Sequence, residues 1–88
     1  MVSLRSQVNR KLLGYFFHNP GKSLYVNKIA NQLNLDKRNL VKKLRIFEHE
    51  GLFISATHGH FKFYSLNKEY PFYREYKRIV LKSIGNVA

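Results

Sequence analysis

Cysteine is absent from the 88 residues of this sequence, and acidic residues are scarce. Without cysteine the chain has no disulfide bond, thiolate zinc site or cysteine nucleophile, which fits a reducing compartment. Five acidic residues stand against 16 lysines and arginines, so the formal net charge is +11. So large a positive excess is typical of proteins that bind nucleic acid. A membrane-surface protein and a merely soluble basic protein are the alternatives.

Long apolar runs are also missing. The longest are a few residues, as at 15–17, so no segment is long enough to span a membrane. Apolar residues still make up 44% of the chain, which is enough for a packed core and argues against disorder. The length predicts one domain over residues 1–88. The basic N-terminus resembles a transit peptide, but we interpret it as a helix of the mature fold. We expect a cytoplasmic, nucleoid-associated protein.

Recognisable catalytic motifs are also absent from the sequence. The acids are scattered, and the sequence holds no Ser/His/Asp set, glycine-rich phosphate loop or HExxH motif. We therefore expect neither an enzyme nor a bound cofactor.

Hydrophobic periodicity and turn residues divide the chain into seven elements. They are a helix from 3 or 6 to 18, a strand 23–26, a helix 27–33 capped by Asn27, a helix 36–50 capped by Asp36, strands 52–57 and 61–66, and a helix 72–84. Gly51 and Gly85 are placed to end helices. The order α-β-α-α-β-β-α predicts an α+β, mostly α, winged helix-turn-helix fold.

The helix 36–50 carries a basic face opposite its apolar face. On a wheel of 100° per residue, Leu44 and Phe47 fall within about 40° of Leu40. The residues between about 140° and 200° are Arg38, Lys42, Arg45 and His49. No acid interrupts the run from 37 to 45. A charge run is often no more than a solvated face, but unpaired positive charge is what phosphate binding requires.

This helix is the predicted recognition helix, with its first two turns in the major groove. Arginine pairs with guanine, asparagine with adenine, and valine touches the thymine methyl group. The residues assigned to base edges are Arg38, Asn39, Lys42 and Val41. Lys28, Lys43 and Arg45 are assigned to phosphates, and Lys37 flanks the basic face.

The helix-turn-helix resembles that of ArsR-type and MarR-type winged-helix regulators. The residues that carry the resemblance are Lys28-Ile-Ala-Asn-Gln-Leu33, Leu35, Leu40, Leu44, Phe47 and Gly51-Leu52-Phe53. Gly59 and Tyr64-Ser65-Leu66 are similar to the wing, and 70–73 and 77–81 to the closing helix of some ArsR-like proteins. The resemblance covers 24–82 and implies a dimeric DNA-binding transcription regulator. Metal-sensing members use cysteines, so a thiolate metal sensor is excluded.

The resemblance further implies a wing over 52–66, whose tip touches the minor groove or its phosphates. The tip residues available for this are His58, His60 and Lys62. Alternate strand residues share a face, so His58 and His60 could hold a metal ion together. Two ligands are too few for a typical zinc site, and we expect no metal there.

The first and last helices have wider apolar arcs than one core contact requires. We expect helices one and four of two protomers to pack around a two-fold axis. The predicted dimer interface is formed by Leu13, Phe17, Tyr73, Val80 and Ile84. In the alternative, the two helices cover each other within one chain.

The sequence thus predicts a sequence-specific regulator that binds double-stranded DNA. A non-specific architectural DNA-binding protein and a module that docks an acidic protein partner remain open. Six tyrosines and seven phenylalanines also raise the possibility of stacking single-stranded bases. Most of these aromatics fall at core spacing, which favours a role in packing.

Overall fold

A computed structural model describes residues 5–84, and within this range the chain forms four helices and three strands. The elements are α1 (Gln7–His18), β1 (Leu24–Tyr25), α2 (Val26–Leu33), α3 (Lys37–Glu50), β2 (Phe53–His58), β3 (Phe61–Leu66) and α4 (Tyr73–Ile84). The predicted order α-β-α-α-β-β-α is confirmed. Ser3 and Gly85, predicted to bound the first and last helices, lie outside the described residues. None of the helices within 5–84 is long and apolar enough to cross a bilayer.

Side-chain caps begin two of the helices. Ser6 Oγ accepts a hydrogen bond from the backbone N–H of Asn9 at 3.3 Å, at the start of α1. The carboxylate of Asp36 accepts one from the backbone N–H of Asn39 at 3.0 Å, at the start of α3. Each satisfies a backbone donor that has no partner inside its helix. Both caps are among those that the sequence predicts.

The start of α2 differs from the prediction. The cap position is Tyr25, which makes no side-chain capping hydrogen bond, and Asn27 lies inside the helix. The predicted Asn27 cap is therefore wrong. Because Tyr25 pairs with Phe63 in the sheet, the chain passes directly from β1 into α2.

The three strands form an antiparallel sheet in the order β1-β3-β2. Two residues, Gly59 and His60, join β2 to β3, whose ends pair as His58 with Phe61. Gly59 has a φ of 62°, and a positive φ at the first position of a two-residue connection is what a type II′ turn requires. The prediction of a hairpin with glycine at its tip is confirmed.

Fourteen apolar side chains form one core between the helices and the inner face of the sheet. They are Leu12, Leu13, Phe16, Phe17, Ile29, Leu40, Leu44, Phe47, Leu52, Phe53, Tyr64, Leu66, Tyr76 and Val80. Phe53 lies at its centre, with ring centroids 5.1 Å from Phe16 and 5.8 Å from Phe47. Because Phe47 belongs to α3, this core fixes the position of that helix relative to the sheet.

The helices α1 and α4 pack against each other within the chain. Leu13, Phe17 and Val80, predicted to line a dimer interface, are buried in this contact region, each with no more than 2% exposed. Tyr73 is half-buried, with its ring centroid 5.3 Å from that of Phe17. The alternative of one self-contained chain accounts for the burial of Leu13, Phe17 and Val80. The side chain of Ile84 lies outside the described part of the structure.

Candidate nucleic-acid interface

A tight turn sets α3 across α2. The helix α2 ends at Asn34, whose φ of 55° and ψ of 56° lie in the left-handed region that asparagine tolerates. The next N–H, of Leu35, donates to the carbonyl of Ala30 at 3.0 Å and closes the last turn of α2. Asp36 follows at once as the cap of α3. The two helices are thereby joined by three residues, as in a helix-turn-helix.

The inner side of α3 is held by the core, which leaves its outer side open. Leu40 and Leu44 are fully buried, whereas Arg38, Lys42 and Arg45 are exposed. A shallow surface here is lined by Asp36, Lys37, Arg38, Val41, Lys42, Arg45 and Ile46. We call the six residues of this surface after Asp36 the recognition face. It combines four cationic side chains with two aliphatic ones on a rigid helix.

Neither acid of α3 neutralises the recognition face. Both lie on its last turns, where other residues engage them. Glu48 accepts a hydrogen bond from Ser55 Oγ at 2.5 Å and pairs with Lys62. Glu50 accepts hydrogen bonds from the hydroxyl groups of Tyr70 and Tyr76 at 3.0 and 2.9 Å. Within residues 5–84, no cation of the recognition face takes part in an ion pair.

The wing is attached to α3 through Glu48. Its Oε1 lies 3.4 Å from Lys62 Nζ, and both side chains are partly exposed. The hydrogen bond from Ser55, with a smaller contribution from Lys62, lowers the pKa of Glu48 below that of an ordinary glutamate. The pKa of Lys62 is raised, first by Tyr64 and then by Glu48. Its ammonium group lies 5.2 Å from the centre of the Tyr64 ring.

The two wing histidines do not share a strand face. His58 ends β2, and His60 belongs to the turn after Gly59. The ring of His58 packs edge-on against Phe63, with centroids 5.8 Å apart. The expectation that alternation places the two on one face is therefore wrong, because the turn interrupts the strand between them. No group of three metal-ligating side chains occurs in the described part of the chain.

The predicted DNA-contacting residues are all accessible, to different degrees. Exposed are Lys28, Lys37, Arg38, Asn39, Lys42, Arg45, His58, His60 and Lys62. Val41 and Lys43 are half-buried on the flanks of α3. The structure brings Lys37, Arg38, Val41, Lys42 and Arg45 onto one surface. Lys28 lies apart on α2, and the histidines and Lys62 lie on the wing.

Two features of this region are not among the predicted site residues. Ile46 is 51% exposed and completes the recognition face. Its position, about 240° from Leu40 on the wheel, could have revealed it. On the outer face of the sheet, Phe61 is 48% exposed and its ring packs against that of Tyr25, with centroids 4.6 Å apart and an interplanar angle of 43°. That contact depends on the pairing of β1 with β3, which local sequence does not reveal.

Comparisons with solved structures give the fold. The chain is similar to MepR, a transcription regulator of the Staphylococcus aureus multidrug efflux pump MepA, with a TM-score of 0.68, 19% identity and 89% of this chain covered. It is also similar to a possible transcriptional regulator from Methanosarcina mazei Go1, with a TM-score of 0.63, 12% identity and 94% of this chain covered. The fold is a winged helix-turn-helix.

The matched region is a different fraction of each solved chain. This chain covers 59% of the MepR chain and 73% of the Methanosarcina chain. No family model matches the sequence. No curated protein matches it either.

Proposed function

We propose that this protein binds double-stranded DNA and acts as a sequence-specific transcription regulator, with α3 in the major groove and the wing at the minor groove. The observation that carries the proposal is the recognition face. Its cations lack acidic partners among residues 5–84, although Glu48 and Glu50 belong to the same helix. Phosphate would supply the missing anions.

The position of each side chain suggests a division of the contacts. Arg38, Asn39 and Lys42 stand on the first two turns of α3, which reach base edges in helix-turn-helix proteins. Val41 and Ile46 offer apolar surface for thymine methyl groups. Lys28, Lys37, Lys43 and Arg45, with His58, His60 and Lys62 of the wing, would contact phosphates.

The solved structures of similar fold support the regulatory part of the proposal. Both are described as a regulator or possible regulator of transcription, and neither description is that of an enzyme. We therefore propose one non-catalytic DNA-binding domain over residues 1–88, of ArsR-like or MarR-like type, without a cofactor. The proposed location is the cytoplasm, in association with the nucleoid.

Homodimerisation through α1 and α4 is part of the proposal, because two recognition helices would then meet successive major grooves about 34 Å apart. Within the described residues, Leu13, Phe17 and Val80 already pack inside the chain, which leaves Tyr73 as the half-exposed candidate on that interface. Light scattering at tens of micromolar tests this. A mass of twice 10.4 kDa supports the dimer, and the monomer mass overturns it.

A selection of bound sequences from a random duplex pool tests the proposed function. Enrichment of one motif supports a sequence-specific regulator. Binding without enrichment, with any competitor duplex displacing the bound one equally well, would instead indicate an architectural protein. Failure to bind any duplex at low salt would reject DNA binding and favour a module that docks an acidic protein.

A further inference from the structure

A small cavity lies between the end of α3 and the start of α4, away from the recognition face. Its volume is about 270 Å³, and its lining is formed by Glu50, Tyr70, Phe72, Glu75 and Tyr76. Three aromatic rings and two carboxylates thus surround one space, and the lining includes no lysine or arginine. This composition contrasts with the net charge of +11 of the whole chain.

Glu50 organises the aromatic walls. One oxygen, Oε2, accepts hydrogen bonds from both Tyr70 and Tyr76, which fixes the two rings relative to α3. The ring centroids of Tyr70 and Tyr76 are 5.9 Å apart at an interplanar angle of 61°. Phe72 stands 5.9 Å from Tyr70 at 71° and is 58% exposed. Neighbouring rings therefore pack edge to face in contact with each other, and Phe72 is the most exposed of the three.

Two carboxylates, those of Glu50 and Glu75, border this space. Neither Glu50 nor Glu75 has a lysine or arginine within ion-pair distance in residues 5–84. Burial, and then the contact with Glu50, raise the pKa of Tyr70, so its hydroxyl stays protonated and continues to donate to the carboxylate. A cation that entered would meet aromatic ring surface and negative charge together, two features that attract it for different reasons.

We propose that this cavity is a binding site for a small organic cation, with a methylated ammonium group seated against the rings of Tyr70 and Phe72. Aromatic side chains have the required chemistry, because their ring faces attract a quaternary ammonium group that cannot form hydrogen bonds. The volume is just below the roughly 300–1,000 Å³ of pockets that hold drug-sized ligands, so the ligand is compact. The site does not depend on the proposed DNA binding.

The first experiment tests whether binding depends on the charge of the ligand or only on its shape. Choline and its uncharged isostere 3,3-dimethylbutan-1-ol are titrated into the isotopically labelled full chain, and amide chemical shifts are followed by NMR. The proposal expects saturable shifts around residues 50 and 70–76 with choline, and much weaker ones with the neutral compound. Equal shifts with both compounds, or no saturation with choline, would overturn it.

Two pairs of variants locate the site. Phe72→Ala removes an aromatic side chain of the cavity lining, and Phe61→Ala removes an aromatic side chain of similar exposure on the distant wing. Glu75→Gln removes a carboxylate of the lining, and Glu69→Gln removes the same charge outside it. We expect F72A and E75Q each to weaken choline binding about three- to tenfold, and the two controls to leave it unchanged. Equal effects of the test and control variants would overturn the assignment.

The double variant R38A/K42A keeps the two proposals apart, because both changes lie on the recognition face, outside the cavity lining. It should bind choline like the native chain, whatever it does to DNA binding. Loss of choline binding in this folded variant would contradict the site.

Discussion

The carboxylate of Glu48 lies 3.4 Å from the ammonium group of Lys62 and ties the last turns of α3 to the wing. The same carboxylate accepts a hydrogen bond from Ser55 on β2. One side chain therefore positions both strands of the wing relative to α3. It also places negative charge beside a lysine that we propose as a phosphate contact.

We expect Glu48→Gln to strengthen DNA binding. The change releases Lys62 from its acidic partner, so this lysine can neutralise one further phosphate. The logarithm of affinity against the logarithm of salt concentration should then fall more steeply, by about 0.9 in slope, and this can be measured by fluorescence anisotropy. Glu69→Gln is the control, because it removes the same charge away from this contact. An unchanged slope for E48Q would show that Glu48 does not compete with phosphate for Lys62.

The same contact predicts a pH dependence of stability. Because the pKa of Glu48 is lowered in the folded chain, its contribution is complete above the glutamate value of the unfolded chain and is lost as pH falls through the folded value. Since the pair is partly exposed, the contribution is under about 1 kcal/mol. Ser55→Ala removes the main cause of the shift. Urea denaturation between about pH 6 and about pH 3 should show a shallower loss of stability for S55A than for the native chain. Equal losses would contradict this origin.

Phe53 links α1, the sheet and α3, and its truncation should destabilise the fold strongly. The ring is 1% exposed and contacts Phe16 and Phe47. Phe53→Ala should lower the free energy of unfolding by about 3–5 kcal/mol, a large share of the roughly 5–15 kcal/mol typical of a domain. Ile54→Ala, next to it but 49% exposed, is the control and should cost far less. Similar losses for the two variants in urea titrations would contradict the assignment of Phe53 to the core.

The features that depend only on neighbouring residues could be predicted from the sequence. Asp36 and Gly51 bound α3 because capping chemistry involves only the neighbouring backbone, and the basic face follows from helix geometry alone. The pairing of Glu48 with Lys62 could not be predicted, since it depends on how the wing is oriented against α3. The wide apolar arcs of α1 and α4 indicate that these helices bury apolar surface, but they do not show which element packs on it. The sequence therefore places Val80 at a dimer interface, whereas the structure buries it within the chain.

The recognition face is tested most directly by comparing two double variants that lose the same charge. R38A/K42A changes the proposed base-reading residues, and K77A/R78A removes one lysine and one arginine from the exposed side of α4. Affinity for a selected duplex is measured by anisotropy between about 50 and 200 mM salt. Circular dichroism confirms that each variant is folded. We expect R38A/K42A to bind at least about tenfold more weakly than K77A/R78A, because base contacts are worth about 1–3 kcal/mol each. Equal affinities of the two variants, or an affinity that does not change with salt, would contradict DNA binding through α3.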